Sequence, residues 1–172
     1  MPLFVEQLGA SGHEVEYYAG LGISLSAISA ALLSPVWGSL ADRYGRKPMM
    51  IRAATAMVFT MGGIAFVPNI FWLLLLRFLN GVFAGYVPNS TALIASQAPK
   101  EKTGYALGTL STGVVAGNLM GPFIGGLIAE MFGIRNVFLL IGAFFLVAAL
   151  MTFYLIREDF VPVTRQEEVG FR

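Results

Sequence analysis

Apolar residues run almost unbroken through five stretches of this 172-residue chain, at about 18–41, 49–67, 70–97, 104–129 and 135–156. Polar and turn-forming residues gather in the short gaps: Gly38 to Pro48, Pro68-Asn69, Pro99 to Lys102, and Glu130 to Asn136. Each run far exceeds the roughly ten residues of a membrane β-strand. Each reaches the roughly 20 residues a helix needs to cross a hydrocarbon core about 30 Å thick. A helix satisfies its own backbone groups, as lipid requires. The pattern predicts an all-α integral membrane protein with about five transmembrane helices.

Charge supplies the orientation. Arg43, Arg46, Lys47 and Arg52 surround the first gap, Lys100 and Lys102 the third, and Arg157, Arg165 and Arg172 follow the last run. The opposite side holds Arg135 and an acidic head with Glu6, Glu14 and Glu16. Basic connectors stay in the cytosol, so the head is expected outside and the tail inside. Aromatic belts agree, with Tyr17, Tyr18 and Trp72 at the outer boundary and Trp37, Tyr105 and Tyr154 near the inner one.

Composition narrows the function classes. The chain is 56% hydrophobic and 12% charged, with about half the charge of an average globular protein. Its mean hydropathy of +0.73 leaves too little polar surface to coat a water-soluble globule. The absence of cysteine excludes disulfides, iron–sulfur clusters and thiol catalysis. With His13 the single histidine, no metal site is expected. No nucleophile–base pair stands out, so no enzyme is expected. Neither a nucleic-acid partner nor a cleavable leader is expected; Met1-Pro2 opens no basic leader sequence.

Within the runs, small residues recur every fourth position, which aligns them along one helix ridge. The first run carries Gly22, Ser26, Ala30, Ser34, Gly38 and then Asp42; the fourth carries Gly113, Gly117, Gly121 and Gly125. The third carries Arg77, Gly81, Gly85 and Asn89. Such ridges let helix backbones approach closely, and their recurrence three spans apart fits a three-plus-three repeat. Pro35, Pro88 and Pro122 each remove the hydrogen bond to the carbonyl four residues back, at Ala31, Ala84 and Asn118. Bends are expected there. Arg77 lies about 11 Å into its run at about 1.5 Å per residue. A charge at that depth costs about 3 kcal/mol or more and normally faces a bundle interior with a partner.

Three motifs in this order resemble the major facilitator superfamily of transporters. Gly38-Ser-Leu-Ala-Asp42-Arg43-Tyr-Gly45-Arg46-Lys47 is similar to the signature between that family's second and third helices. Leu73-x-x-x-Arg77-x-x-Asn80-Gly81 is similar to its fourth-helix motif, with Asn80 in place of the usual glutamine. Gly117-x-x-x-Gly121-Pro122-x-x-Gly125-Gly126 is similar to the fifth-helix motif of its exporters, drug:proton antiporters above all.

The resemblance implies an incomplete N-terminal half of that fold. Residues 1–157 would hold the end of helix one and helices two to six, and 158–172 the start of the cytoplasmic central loop. Helix one and the C-terminal half would be the missing partners. It further implies multidrug efflux by proton-coupled antiport across the cell membrane, with protons and small lipophilic or cationic substrates as partners. No cofactor is expected, and the proton gradient would be the energy source.

Gly38, Asp42, Arg43, Gly45, Arg46 and Lys47 would form a cytoplasmic latch, and Arg77 with Gly81 would serve proton coupling. Gly117, Gly121, Pro122, Gly125 and Gly126 would be the antiporter face. Asn80, Phe83, Tyr86, Asn89 and Asn118 are polar or aromatic residues within runs that could line a substrate cavity. Plainer readings stand beside these: a basic loop that only orients the chain, a snorkelling arginine, ordinary packing. The alternatives for the whole are an uptake symporter for a sugar or organic acid, or a non-transporting membrane remnant.

Overall fold

The computed structural model describes residues 1–158, and among them every regular element is a helix. In chain order these are α1 (Pro2–Gln7), α2 (His13–Tyr44), α3 (Arg46–Ile64), α4 (Ile70–Val82), α5 (Tyr86–Gln97), α6 (Lys100–Phe132) and α7 (Ile134–Leu155). Arg165 and Arg172, and the segment after Glu158, lie outside the described residues.

The gaps are tighter than the polar pattern suggests. Residues 38–44 continue α2 and 46–48 begin α3, so the expected signature loop shrinks to Gly45. Gly45 has φ 98°, a left-handed backbone that only glycine adopts without strain. Glu130 to Asn136 is likewise helical except for Gly133. The 32 residues of α2 and 33 of α6 outlast the membrane, and their polar ends emerge as helix rather than loop.

All five expected runs are helical, and they differ in how apolar they are. Among the described residues four segments are long and apolar enough to cross: His13–Tyr44, Ile70–Gln97, Lys100–Phe132 and Ile134–Leu155. The 19-residue α3 carries Arg46, Lys47 and Arg52 and lacks such a window. It nonetheless buries more residues than any other helix: Met49, Met50, Ala53, Ala54, Thr60 and Ile64. Protein replaces lipid around it, because α2, α4, α5 and α7 all pack against it. The third span departs as well, being two helices rather than one, parted at Phe83–Gly85. Pro35 and Pro122, by contrast, lie inside continuous helices.

Two contacts among those that hold the bundle together lie at one end and along α3. At one end Phe4, Val5, Ala10, Ala19, Ile64, Ala65, Val67, Leu73 and Phe138 form a buried cluster, with the Phe4 and Phe138 rings 5.0 Å apart. Along its length α3 lies against α7, where a Cβ added to Gly142 would sit 3.3 Å from Gly62 Cα and N. That crossing brings backbone nearly onto backbone, so dispersion and local dipoles act at their shortest range.

Candidate functional site

The signature segment is built by the helix ends that meet at Gly45. Asp42 and Arg46 form an ion pair at 2.5 Å, and the Gly45 N–H donates to Ala41 O. The first N–H groups of α3 have no partner within their own helix. Glu158, just beyond α7, accepts from both: Arg46 N at 2.6 Å and Lys47 N at 2.8 Å. Lys47 Nζ returns to that helix, donating to Phe153 O at 2.9 Å and lying 5.8 Å from the Phe153 ring centroid. Arg43 reaches over the Tyr44 ring, and Gly38 stands open. The segment is thus tied to the end of the last helix, with a carboxylate at a helix N-terminus, where it is electrostatically favoured. Glu158 was not singled out from the sequence, where an acid after the last run reads as solvated tail.

Arg77 is half-buried. Its Nη2 lies 3.1 Å from Met1 Sδ and its Cζ 5.9 Å from the Phe138 ring centroid. Its Nε is buried without a hydrogen-bond partner among the described residues. The backbone around it is pinned by α2: Ser26 Oγ donates to Arg77 O at 2.7 Å and Ser29 Oγ to Phe78 O at 3.1 Å. Gly81 allows this approach, since a Cβ there would strike Ser29 Oγ and the Ser26 carbonyl. The first half of the α2 ridge therefore serves close packing, as small residues four apart do.

The remaining residues do not gather in one chamber. Asn80 is buried and donates to Thr60 Oγ1 of α3 at 3.2 Å. Tyr86 OH pairs with Thr152 Oγ1 of α7 at 2.9 Å. Phe83 stacks near Trp37, and buried Asn89 Nδ2 bonds to Gly85 O at 2.7 Å. Asn118 is exposed on α6, apart from the others. Asn89 does line a cleft of about 300 Å³ between α2 and α5, with Ala30, Ser34, Trp37, Gly38, Arg46 and Gly85.

Gly117, Gly121, Pro122, Gly125 and Gly126 form their own region on α6, a helix with no buried residue. Added Cβ atoms at 117, 121 and 126 would meet nothing within 4 Å, and one at 125 only Val137 Cγ1 at 3.8 Å. The close packing expected of this ridge is therefore absent among the described residues. Gly126 also borders a cleft of about 640 Å³ with Leu3, Glu6, Gln7, Ala129, Glu130 and Ile134.

A bundle of long apolar helices with a half-buried arginine and interhelical bonds through Ser and Asn defines a multi-pass α-helical membrane protein. Residues 1–171 match the Major Facilitator Superfamily, and the chain belongs to that family of transporters.

Its relatives include the multi-drug resistance efflux pump PmrA of Streptococcus pneumoniae, 69% identical over 98% of this chain and 42% of that protein. A PmrA homolog of Lactococcus lactis is 56% identical over 97% of the chain and 41% of its own length. The multidrug resistance protein MdtG of Salmonella paratyphi A is 46% identical over the whole chain and 43% of its own length. The chain thus spans about two fifths (41–43%) of these relatives.

Proposed function

We propose that this chain is the greater part of the N-terminal half of a multidrug exporter driven by proton antiport. The observation that carries the export reading is the 69% identity, over 98% of the chain, to a relative named as an efflux pump. Proton coupling is assigned to Arg77 with Gly81, on the strength of a half-buried guanidinium whose Nε is unpartnered and which lacks a carboxylate counter-ion among the described residues. A cation so held calls for an opposite charge, so the proton is assigned to a carboxylate outside the described bundle, which would pair with Arg77 when ionised and release it when protonated. The exposed glycine face of α6 is assigned to contact with the C-terminal half, and the Asp42–Arg46 turn to the latch of one access state.

Small lipophilic or cationic compounds are the proposed substrates. The proton gradient is the proposed energy source, with no bound cofactor. Alternating access needs two halves that rock about a shared site, so the isolated chain is expected to transport nothing. The test is dye extrusion from cells producing the longest protein that carries this sequence, with and without a protonophore. Extrusion that stops with the protonophore and in R77Q supports the reading. Proton-independent export overturns the coupling, absence of export overturns the function, and flux through liposomes holding this chain alone overturns its expected inactivity.

A further inference from the structure

The third span is divided in a place where division is expensive. At about 1.5 Å per residue, neither the 13 residues of α4 nor the 12 of α5 crosses a 30 Å core alone, so the break lies within the bilayer. In an unbroken helix the carbonyls of Val82, Phe83 and Ala84 would accept from the N–H groups of residues 86, 87 and 88. Here Gly85 turns to φ 130° and Pro88 has no N–H to give.

The three carbonyls are served from neighbouring helices instead. Trp37 Nε1 of α2 donates to Val82 O at 2.6 Å. Arg52 Nη2 of α3 reaches Ala84 O at 3.2 Å and Phe83 O at 3.4 Å. The two donors also hold each other, with Arg52 Cζ 3.4 Å from the Trp37 ring centroid.

We infer that Arg52 and Trp37 act as a bracket that keeps the third span in two half-helices, replacing the hydrogen bonds its break withdraws. A plain packing role does not explain a guanidinium at this position. Arg52 Nε and Nη1 are buried without hydrogen-bond partners among the described residues, so an apolar side chain would fill the space with less penalty. What the cation gains is the negative end of α4 and the face of an indole. The bracket also joins two regions. Its residues belong to the two helices that meet at Gly45, and the break they hold follows the half-helix bearing Arg77. They are positioning residues, and the inference stands whether or not the export reading does.

The test uses this chain in lipid nanodiscs, with spin labels at F71C and A95C, one on each half-helix of a chain that has no native cysteine. The parent should give one narrow distance distribution. R52Q should broaden and shift it and speed amide exchange over residues 83–87 and 89 about tenfold to a hundredfold, the order for lost bonds to a charged donor. W37F, which keeps a ring but loses the indole N–H, should move both readouts the same way by less. The deciding background is G85A/P88A, which lets α4 and α5 join and return the missing donors. There R52Q should change neither readout. If R52Q alone does not fold, recovery of folding in that background supports the bracket. An unchanged distribution in R52Q, equal effects in both backgrounds, or failure to fold in both overturns it.

Discussion

Two regions of this bundle carry the same small-residue spacing and do opposite things with it. On α2, Ser26 and its neighbour Ser29 meet α4 so closely that Gly81 has no room for a Cβ, and Gly22 faces Leu74 and Arg77 at contact distance. On α6, Gly117 and Gly121 repeat that spacing and meet nothing. The difference lies in what accompanies the small residues. Ser26 and Ser29 each donate to a carbonyl of α4, which binds the helix pair inside apolar surroundings. The ridge of α6 offers glycine alone, and among the described residues no donor or acceptor faces it. A four-residue spacing therefore marks the capacity for close approach; polar partners decide where that capacity is used within the chain.

The largest expected effect tests this contrast directly. G81V should destabilise the chain by about 3 kcal/mol or more, because its side chain would displace backbone of α2 rather than a flexible tip. G117V and G121V should fall within about 0.5 kcal/mol of the parent, as for open surface positions. Thermal unfolding in one detergent measures all three. Equal losses on both helices would erase the distinction. In dye-export assays of the longer protein the order should reverse for the α6 pair, with activity lost although this chain stays folded.

Next in size is the buried polar contact between α3 and α4. N80L removes the donor to Thr60 Oγ1 and should cost about 1–2 kcal/mol, within the range for a buried hydrogen bond left half made. N80L/T60V should lose less than the sum of the two single changes, since neither partner is then left unsatisfied. Additive losses by thermal unfolding would mean the pair contributes only shape.

The apolar runs were legible because 20-residue stretches leave a helix few alternatives, and the family emerged from three motifs in order. The tertiary partners were not legible in the same way. Pro88 announces a missing bond at Ala84 O, but nothing in its neighbourhood names Arg52, 36 positions earlier, as the replacement donor. By sequence Arg52 is one more basic residue near the cytosolic edge, and Trp37 one more belt aromatic. The contact of Gly142 with Gly62 escaped for a different reason: neither belongs to a four-residue ridge, and single glycines carry no direction. Conversely, Asn80 and Tyr86 look like cavity residues in the sequence because polarity inside a span draws attention. Their partners, Thr60 and Thr152, show how such groups are also satisfied between helices.

The cytoplasmic end gives a smaller effect that separates a helix cap from a surface charge. E158A removes acceptors from Arg46 N and Lys47 N, and should cost about 1 kcal/mol, as loss of an N-terminal cap does. Faster amide exchange at residues 46 and 47 should accompany it, while E158Q, which keeps one acceptor oxygen, should recover part of both.

D42N is the smallest change. Asp42 and Arg46 are a partly exposed i,i+4 pair, so its removal should cost at most about 0.5 kcal/mol and less in high salt. The two variants therefore predict opposite salt behaviour: the E158A penalty persists at high ionic strength because its bonds are local and directed, whereas the D42N penalty disappears. A D42N loss larger than that of E158A, or one that salt leaves unchanged, would make the ion pair rather than the glutamate cap the main tie of this turn.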